Sequence, residues 1–314
     1  MYYLGIDTSA YTTSLAIVGA KRLVWEERLV LQVPEGETGL AQSAAFFQHV
    51  QNLPLLVQKV PSSYWSELAG IGVSSAPRRI EGSYMPVFTA GLALARSVAA
   101  ARQTRLWLTS HQEGHLAAGL ASAGGPAAAR FLVLHLSGGT TELIEARRGE
   151  AGRFDLNLLG GTTDLHAGQF VDRVGVRLGL EFPAGKRLEE LAEGASPGAE
   201  SLLPSSVRGL KVSFSGVESA AQRLVDRGVS RPDVARAVEG CLARTVGKLI
   251  LAGCAQTGLT EVLLVGGVAA NKFIRRELGR RLQQTARLYW AEPAWSRDNA
   301  IGVAFLAEQA LSPT

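Results

Sequence analysis

Cysteine is nearly absent from this 314-residue chain: Cys241 and Cys254 are the only two, thirteen positions apart in a stretch patterned as a helix. Such a pair cannot build a disulfide framework, which points to a reducing, cytoplasmic setting. Long hydrophobic runs are missing too. The longest, Val87 to Ala101, is broken by Arg96. It is shorter than the ~20 residues that a bilayer-spanning helix needs, so no membrane partner is expected. The N-terminus, Met1-Tyr2-Tyr3-Leu4-Gly5, opens directly on a strand pattern, without the basic stretch or cleavage site of a secretory signal. No sign of charge dominates, since 32 Lys and Arg against 28 Asp and Glu leave only +4, which alone says little about nucleic acid. Arginines do cluster, at Arg78-Arg79, Arg147-Arg148, Arg275-Arg276 and Arg280-Arg281, and each pair reads first as a solvated face. What is present is an ordered globular composition, 46% hydrophobic and 19% charged, on a chain long enough for two lobes.

Histidine is scarce, yet two of the five fall at His111 and His115. Four residues apart, they share one face of an α-helix, about one turn along its axis. That spacing suits a metal ion, and imidazole accepts iron, zinc, manganese or nickel. Two histidines rarely complete a site, and Asp298 in Ser296-Arg297-Asp298-Asn299 is the best third ligand in the sequence. A lone His-x3-His also occurs on surface helices by chance, so the pair by itself leaves the ion's identity open. Glu113 is one place too late for the zinc-protease pattern His-Glu-x-x-His. It points roughly 200° around the helix from His111, so metalloprotease chemistry is not expected.

The hydrophobic pattern predicts strands at 2–6, 14–18 and 21–31, then helices and strands in alternation: helix 39–57, strand 70–74, helix 84–102, strand 106–108 and a helix from His111. About 130 residues later the pattern returns. Strands are predicted at 131–136, 142–146 and 153–159, then helices at 163–178, 186–193, 217–226 and 231–256. Strand 261–265, helix 269–284, strand 286–290 and helix 299–311 complete the chain. The recurrence implies two α/β lobes of related topology, each with a mixed sheet flanked by helices, divided near Gly124-Gly125-Pro126 into residues 1–126 and 127–314. The last helix could pack back on the first lobe.

Small polar turns recur at chemically suggestive places. Asp7-Thr8-Ser9 opens the first hairpin turn, and Ser137-Gly138-Gly139 forms the second. Successive N–H groups and hydroxyls with no bulky Cβ nearby suit a phosphate. Gly266-Gly267, closing the buried strand 262–265 and leading to Asn271, sits where α/β sheets place their ligands.

Taken together, these segments resemble the TsaD family, the tRNA adenosine threonylcarbamoyltransferases formerly called O-sialoglycoprotein endopeptidases (peptidase family M22). The likeness runs from Leu4 to Ala304. It rests on Leu4-Gly5-Ile6-Asp7-Thr8-Ser9, His111-Gln112-Glu113-Gly114-His115, His135-Leu136-Ser137-Gly138-Gly139-Thr140-Thr141, Gly168-Gln169-Phe170-Val171-Asp172-Arg173 with Phe182-Pro183-Ala184-Gly185, Ser213-Phe214-Ser215-Gly216, Gly266-Gly267-Val268-Ala269-Ala270-Asn271 and Ser296-Arg297-Asp298-Asn299. The resemblance implies the actin, sugar-kinase and Hsp70 (ASKHA) type of fold, each lobe RNase H-like, with ATP or an acyl-adenylate between the lobes. By position, His111, His115 and Asp298 would hold one divalent metal ion, iron or zinc foremost, gripped from both halves of the molecule. His135, Leu136, Ser137, Gly138, Gly139, Asp172, Gly185 and Asn271 would hold the adenylate. The implied reaction moves a threonylcarbamoyl group to adenosine in tRNA, with TsaB-like and TsaE-like proteins as partners. Two alternatives stand beside it: a carbamoyltransferase with a small-molecule or protein acceptor, and a non-enzymatic nucleotide-binding scaffold.

The chain departs from the family pattern near the expected site. Ala10-Tyr11-Thr12-Thr13 stands where members usually carry Cys-Asp-Glu-Thr. The short Gly-Pro-Gly-Leu turn is replaced by Ala76-Pro77-Arg78-Arg79-Ile80-Glu81-Gly82-Ser83-Tyr84-Met85-Pro86. The usual His after Ser-Gly-Gly is Thr140, and the Lys expected after Ser-Phe-Ser-Gly is Glu218. These changes mark a divergent bacterial paralogue whose acceptor is open.

Overall fold

The computed structural model describes residues 1–9, 11–33, 40–296 and 298–312. Its elements run β1 (Tyr2–Ser9), β2 (Thr12–Gly19), β3 (Arg22–Val30), α1 (Gln42–Lys59), α2 (Ser62–Ser66), β4 (Leu68–Ser74), α3 (Phe88–Arg102), β5 (Arg105–Thr109), α4 (His111–Ala123), β6 (Arg130–Leu136), β7 (Thr141–Arg148), β8 (Phe154–Thr162), α5 (Ala167–Arg177), α6 (Gly185–Ala192), β9 (Val207–Arg208), β10 (Lys211–Val212), α7 (Ser215–Asp226), α8 (Arg231–Thr257), β11 (Glu261–Val265), α9 (Lys272–Leu282), β12 (Arg287–Trp290) and α10 (Ile301–Leu311). They form two compact units. Unit 1 comprises Met1–Ser122, Arg148–Asp155 and Ala294–Thr314, and unit 2 comprises Ala123–Arg147 and Leu156–Pro293. The division is not one cut at residue 126, because the chain returns to unit 1 twice.

Unit 1 is built on a sheet ordered β3-β2-β1-β4-β5. Its first three strands pair antiparallel, while β4 lies parallel to β1 and β5 parallel to β4. One face is sealed by Leu53 and Leu56 of α1 and Ala90, Ala95 and Ala99 of α3, against Leu4, Ile6, Leu15 and Val73. The other receives α10, whose Ala300, Ala304 and Ala307 pack against Tyr3, Ala16 and Val18. Small residues let α10 approach closely: a Cβ on Gly302 would collide with the Gly114 carbonyl of α4. That approach brings the segment before α10 to the start of α4.

Unit 2 carries a sheet ordered β12-β11-β6-β7-β8-β10-β9. Read from the other side, β8-β7-β6-β11-β12 repeats the order third, second, first, fourth, fifth seen in unit 1. The β6–β7 pair is antiparallel, and β11 lies parallel to both β6 and β12. Its core centres on α8, an all-round buried helix with Val234, Val238, Leu242, Leu249 and Ile250 inside. The Ser230 hydroxyl accepts the Asp233 N–H at its start, and Gly258, with φ +72°, ends it. Cys241 and Cys254 are both free and buried on this helix. Among the described residues no helix is long and apolar enough to cross a membrane.

Three element boundaries shift from expectation for physical reasons. The helix expected from residue 84 starts at Phe88, since Pro86 disfavours helical backbone before it. The helix expected from Thr163 starts at Ala167, because Asp164 is committed to a turn that binds Phe214 and Leu165 N–H groups. The helix expected from Ala269 divides at Asn271, whose extended backbone makes it the cap of α9.

Candidate functional site

The start of α4 is fixed before any ligand is considered. Ser110-His111-Gln112-Glu113 forms a capping box: Glu113 Oε2 accepts the Ser110 N–H at 3.0 Å, and Ser110 Oγ accepts the Glu113 N–H at 3.2 Å. Ala76 O and Pro77 O accept the His111 and Gln112 N–H groups at 2.9 and 3.1 Å. The first-turn donors are thus satisfied, and the histidine rings project from a rigid turn. Glu113 is only 2% exposed and also accepts from Thr109 Oγ1 at 3.0 Å. It anchors the helix and is not placed to be a protease general base.

His111, His115 and Asp298 converge, with their ligand atoms all within 4.8 Å of one another. The two Nε2 atoms are 3.0 Å apart, and Asp298 Oδ1 lies 3.2 Å from His115 Nε2 and 3.5 Å from His111 Nε2. Such separations match neighbouring ligands on one ion with bonds of ~2.0–2.2 Å. Two imidazoles and a carboxylate also form a donor set suited to iron or zinc. The residues therefore fit a divalent ion. Asp298 is steadied by its neighbours: Asn299 Nδ2 donates to Trp295 O at 3.0 Å, and the Ala300 N–H donates to Ser14 Oγ at 2.8 Å. All three residues belong to unit 1, so the expectation of a grip shared between both halves is corrected. Asp298 comes from the far end of the sequence but from the same unit, through the return of residues 294–314.

Behind His111 stands Asp7. It is fully buried; its Oδ1 lies 3.0 Å from His111 Nδ1 and accepts from Ser74 Oγ, and its Oδ2 accepts the Ser9 N–H at 3.2 Å. A bound cation would displace the proton on Nε2 while Asp7 keeps the one on Nδ1, which would leave the Nε2 lone pair toward His115 and Asp298. Burial alone would depress the His111 imidazole, but the Asp7 and Asp298 carboxylates push it up to about 10. Burial would likewise raise Asp298, and its bonds to His111 and His115 hold it well below the usual carboxylate range.

The expected phosphate hairpin at Asp7, Thr8 and Ser9 is corrected by the same geometry. β1 continues through Ser9, and these side chains are 0%, 0% and 2% exposed. Thr8 Oγ1 donates to Val87 O at 3.0 Å and accepts the Gly91 N–H at 3.2 Å. Sequence reasoning saw the polar run and missed that it is strand. Position 10 lies outside the described residues, Tyr11 is exposed and Thr12 buried, so the departure from the family's acidic pair leaves no carboxylate at 11 or 12.

Unit 2 gathers the remaining motif residues. The turn after β6 is closed by the Ser137 N–H donating to Thr140 O at 2.8 Å, and the Gly168 N–H donates to Ser137 O at 3.0 Å. A Cβ on Gly168 would lie 2.7 Å from Gly138 Cα, so α5 starts in contact with that turn. Gly266, with φ +100°, passes so close to Leu136 O that no side chain fits, which joins the end of β11 to the end of β6 beside His135. Gly138, Gly139, Gly185 and Gly267 have no heavy atom within 4 Å of a would-be Cβ. That open, glycine-lined backbone fits a phosphorylated ligand.

Two expected ligands are occupied internally. Asp172 Oδ1 accepts the Ala184 N–H at 2.8 Å, rather than pairing with Arg173 or Arg177, and burial raises its pKa. Asn271 caps α9 by accepting the Ile274 N–H at 2.9 Å and donates through Nδ2 to Glu239 Oε1 at 2.6 Å. Glu239, 1% exposed, also pairs with Arg236 at 2.6 Å, and burial pushes its carboxyl up to about 7. Ser213-Phe214-Ser215 wraps Asp164, which accepts from both hydroxyls and from the Phe214 N–H at 2.9 Å. Asp7, Asp164 and Glu239 were not singled out for these supporting roles. Only Glu113 had a readable signal, the Ser-x-x-Glu spacing.

The family model for tRNA N6-adenosine threonylcarbamoyltransferase, TsaD, matches residues 34–305. The chain belongs to the TsaD family. A tRNA N6-adenosine threonylcarbamoyltransferase of Thermus thermophilus is 30% identical over 98% of this chain and 92% of its own length. One from Aromatoleum aromaticum is 30% identical over 97% and 90%. Solved structures share the fold at low identity. Component A of (R)-2-hydroxyglutaryl-CoA dehydratase from Acidaminococcus fermentans aligns with TM-score 0.55 at 16% identity, covering 98% of this chain and 97% of that one. A ROK family glucokinase from Streptomyces griseus, in complex with glucose and AMPPNP, aligns with TM-score 0.52 at 13% identity, covering 98% and 100%. At these identities the likeness concerns fold alone, and it agrees with the ASKHA architecture.

Proposed function

We propose that this TsaD-family chain transfers a threonylcarbamoyl group from its adenylate to the N6 amine of adenosine in tRNA. The observation that carries the reading is the match, over nearly the whole chain, to curated threonylcarbamoyltransferases. In the reaction the amine nitrogen forms a bond to the carbamoyl carbonyl, loses a proton, and AMP departs with the bridging oxygen.

The residues divide the work. His111, His115 and Asp298 would hold a divalent ion, with iron or zinc the best fit to their donors. Bound there, such an ion supplies a Lewis acid for a carbonyl or phosphoryl oxygen. Asp7 fixes the His111 ring so that Nε2 faces the ion. Ser137, Gly138 and Gly139 with Gly266 and Gly267 supply backbone for the phosphate, Gly185 and Asn271 border the nucleoside, and Asp172 positions the turn at Ala184. Backbone N–H groups of such a turn would stabilise the charge of a departing phosphate. TsaB-like and TsaE-like partners and a cytoplasmic setting belong to the same proposal. A pure scaffold has no need of three converging ligands, which weighs against the non-enzymatic reading.

The test is direct. The full chain, metal-loaded, is incubated with threonylcarbamoyl-adenylate and an unmodified tRNA transcript, with and without the partner proteins, and nucleosides are analysed by mass spectrometry. Threonylcarbamoyladenosine is the expected product, and its absence under every combination would overturn the reading.

A further inference from the structure

Between β4 and α3 the chain makes an eleven-residue excursion, Ala76 to Pro86, at the place where it departs from the family's short turn. The loop is fastened at both ends of its course. At its root, Ala76 O and Pro77 O accept the N–H groups of His111 and Gln112, the first two residues of α4. At the tip, the Ser83 N–H donates to Ile80 O at 3.2 Å, the Tyr84 N–H to Gly82 O at 2.9 Å, and the Arg78 N–H to Ser83 Oγ at 3.1 Å. Gly82, with φ +77°, permits this turn. The backbone bonds leave the large side chains outward. Arg78 and Arg79 are exposed, and Ile80 and Tyr84 are 66% and 67% exposed. Arg79 Nη1 sits 3.8 Å from the buried Glu113 Oε1, which ties its root to the α4 cap.

We propose that this loop is the RNA-contacting element of unit 1, with Arg78 and Arg79 on backbone phosphates and Tyr84 stacked on an unpaired base. The proposal rests on the tRNA reading above and names the surface that serves it. Adjacent cations beside an exposed aromatic ring are what a single-stranded RNA segment requires. The loop's root is hydrogen-bonded to His111, so the loop springs from the first turn of the helix that carries His111 and His115. A protein partner is the poorer fit. An ordinary protein interface buries roughly 800 Å² per partner, and Ile80 and Tyr84 are the loop's only large exposed apolar side chains.

Fluorescence anisotropy with a labelled unmodified tRNA transcript, titrated with the full chain at about 50 to 200 mM salt, tests it. Arg78→Ala is expected to weaken binding about tenfold at the lower salt and to reduce the slope of log affinity against log salt by about 0.7–0.9. Tyr84→Ala is expected to weaken binding roughly tenfold with the slope unchanged, and Tyr84→Phe to restore it. Arg79→Lys, which keeps the charge near Glu113, is expected to stay close to wild type. Unchanged metal content in each variant separates these effects from damage to α4. Wild-type binding to tRNA with all variants equal to it overturns the loop assignment and leaves the function standing. Wild-type protein that neither binds nor modifies tRNA with its partners overturns both. Variants that retain tRNA but lose a partner protein overturn the loop assignment in favour of a protein interface.

Discussion

In unit 1, donor atoms of His111, His115 and Asp298 stand within 4.8 Å of one another, with Asp7 behind His111, a capped turn at the start of α4, and Asn299 beside Asp298 bonded to Trp295. In unit 2, the glycines at 138, 139, 185 and 267 present open backbone, while the side chains expected to bind ligand are engaged in the fold. The contrast teaches that the proposed metal centre rests on converging side chains, whereas the proposed nucleotide cradle rests on side chains that hold backbone in place. Asp172 and Asn271 hold the backbone at Ala184 and the start of α9, and Asp7 holds the His111 ring.

The largest expected effect breaks the unit 1 side of that contrast. His111→Ala, His115→Ala or Asp298→Ala should each weaken metal binding by about a hundredfold or more, given the share that each ligand contributes to a metal site. Metal retained at wild-type stoichiometry in all of them, by elemental analysis after dialysis, would remove the ligand assignment. Asp7→Asn should weaken metal binding by about 10- to 100-fold, as loss of a carboxylate behind a ligating histidine does. Nucleotide affinity measured by calorimetry should be unchanged, and a parallel loss there would show that Asp7 serves the fold at large.

Glu239 sharpens the unit 2 side. Its carboxyl is raised to about 7 by burial, from 4.5. The folded protein therefore keeps a proton that the unfolded chain has released between those values. The associated stability is fully present below about pH 4.5 and is lost as pH rises through about 7, on the order of 3 kcal/mol in all. Urea titrations at pH 5 and pH 8 should show that loss in the wild type, and Glu239→Gln should abolish this part of it. An identical pH dependence in the variant would contradict the assignment. The smallest contrast is between two glycines. Gly168→Ala forces a Cβ against Gly138 and should cost about 1–3 kcal/mol of stability. Gly138→Ala meets nothing and should leave the melting temperature unchanged while weakening nucleotide binding.

Much of this was written in short-range pattern. The meander of β1, β2 and β3 and its recurrence at β6, β7 and β8 follow from alternating apolar residues, and they imply the shared strand order. His111 and His115 declare one helix face by spacing alone. The supporting residues were not legible. Asp7 follows an apolar run in a polar segment, which reads equally as a turn or as the buried end of a strand. Only packing by Thr8 against Val87 and Gly91, 79 and 83 residues away, decides it. Glu239 lies on a helix buried all round, where periodicity carries no face, and its partner Asn271 is 32 residues distant. The placement of Asp298 in unit 1 depends on α10 approaching α4 at Gly302 and Gly114, a contact between small residues that no local pattern announces.

The most direct measurement is anomalous diffraction from crystals of the metal-loaded chain. The account predicts one strong peak bonded at ~2.0–2.2 Å to Nε2 of His111, Nε2 of His115 and a carboxylate oxygen of Asp298, with Asp7 still on His111 Nδ1. A peak elsewhere, or one that leaves Asp298 uncoordinated, would contradict it.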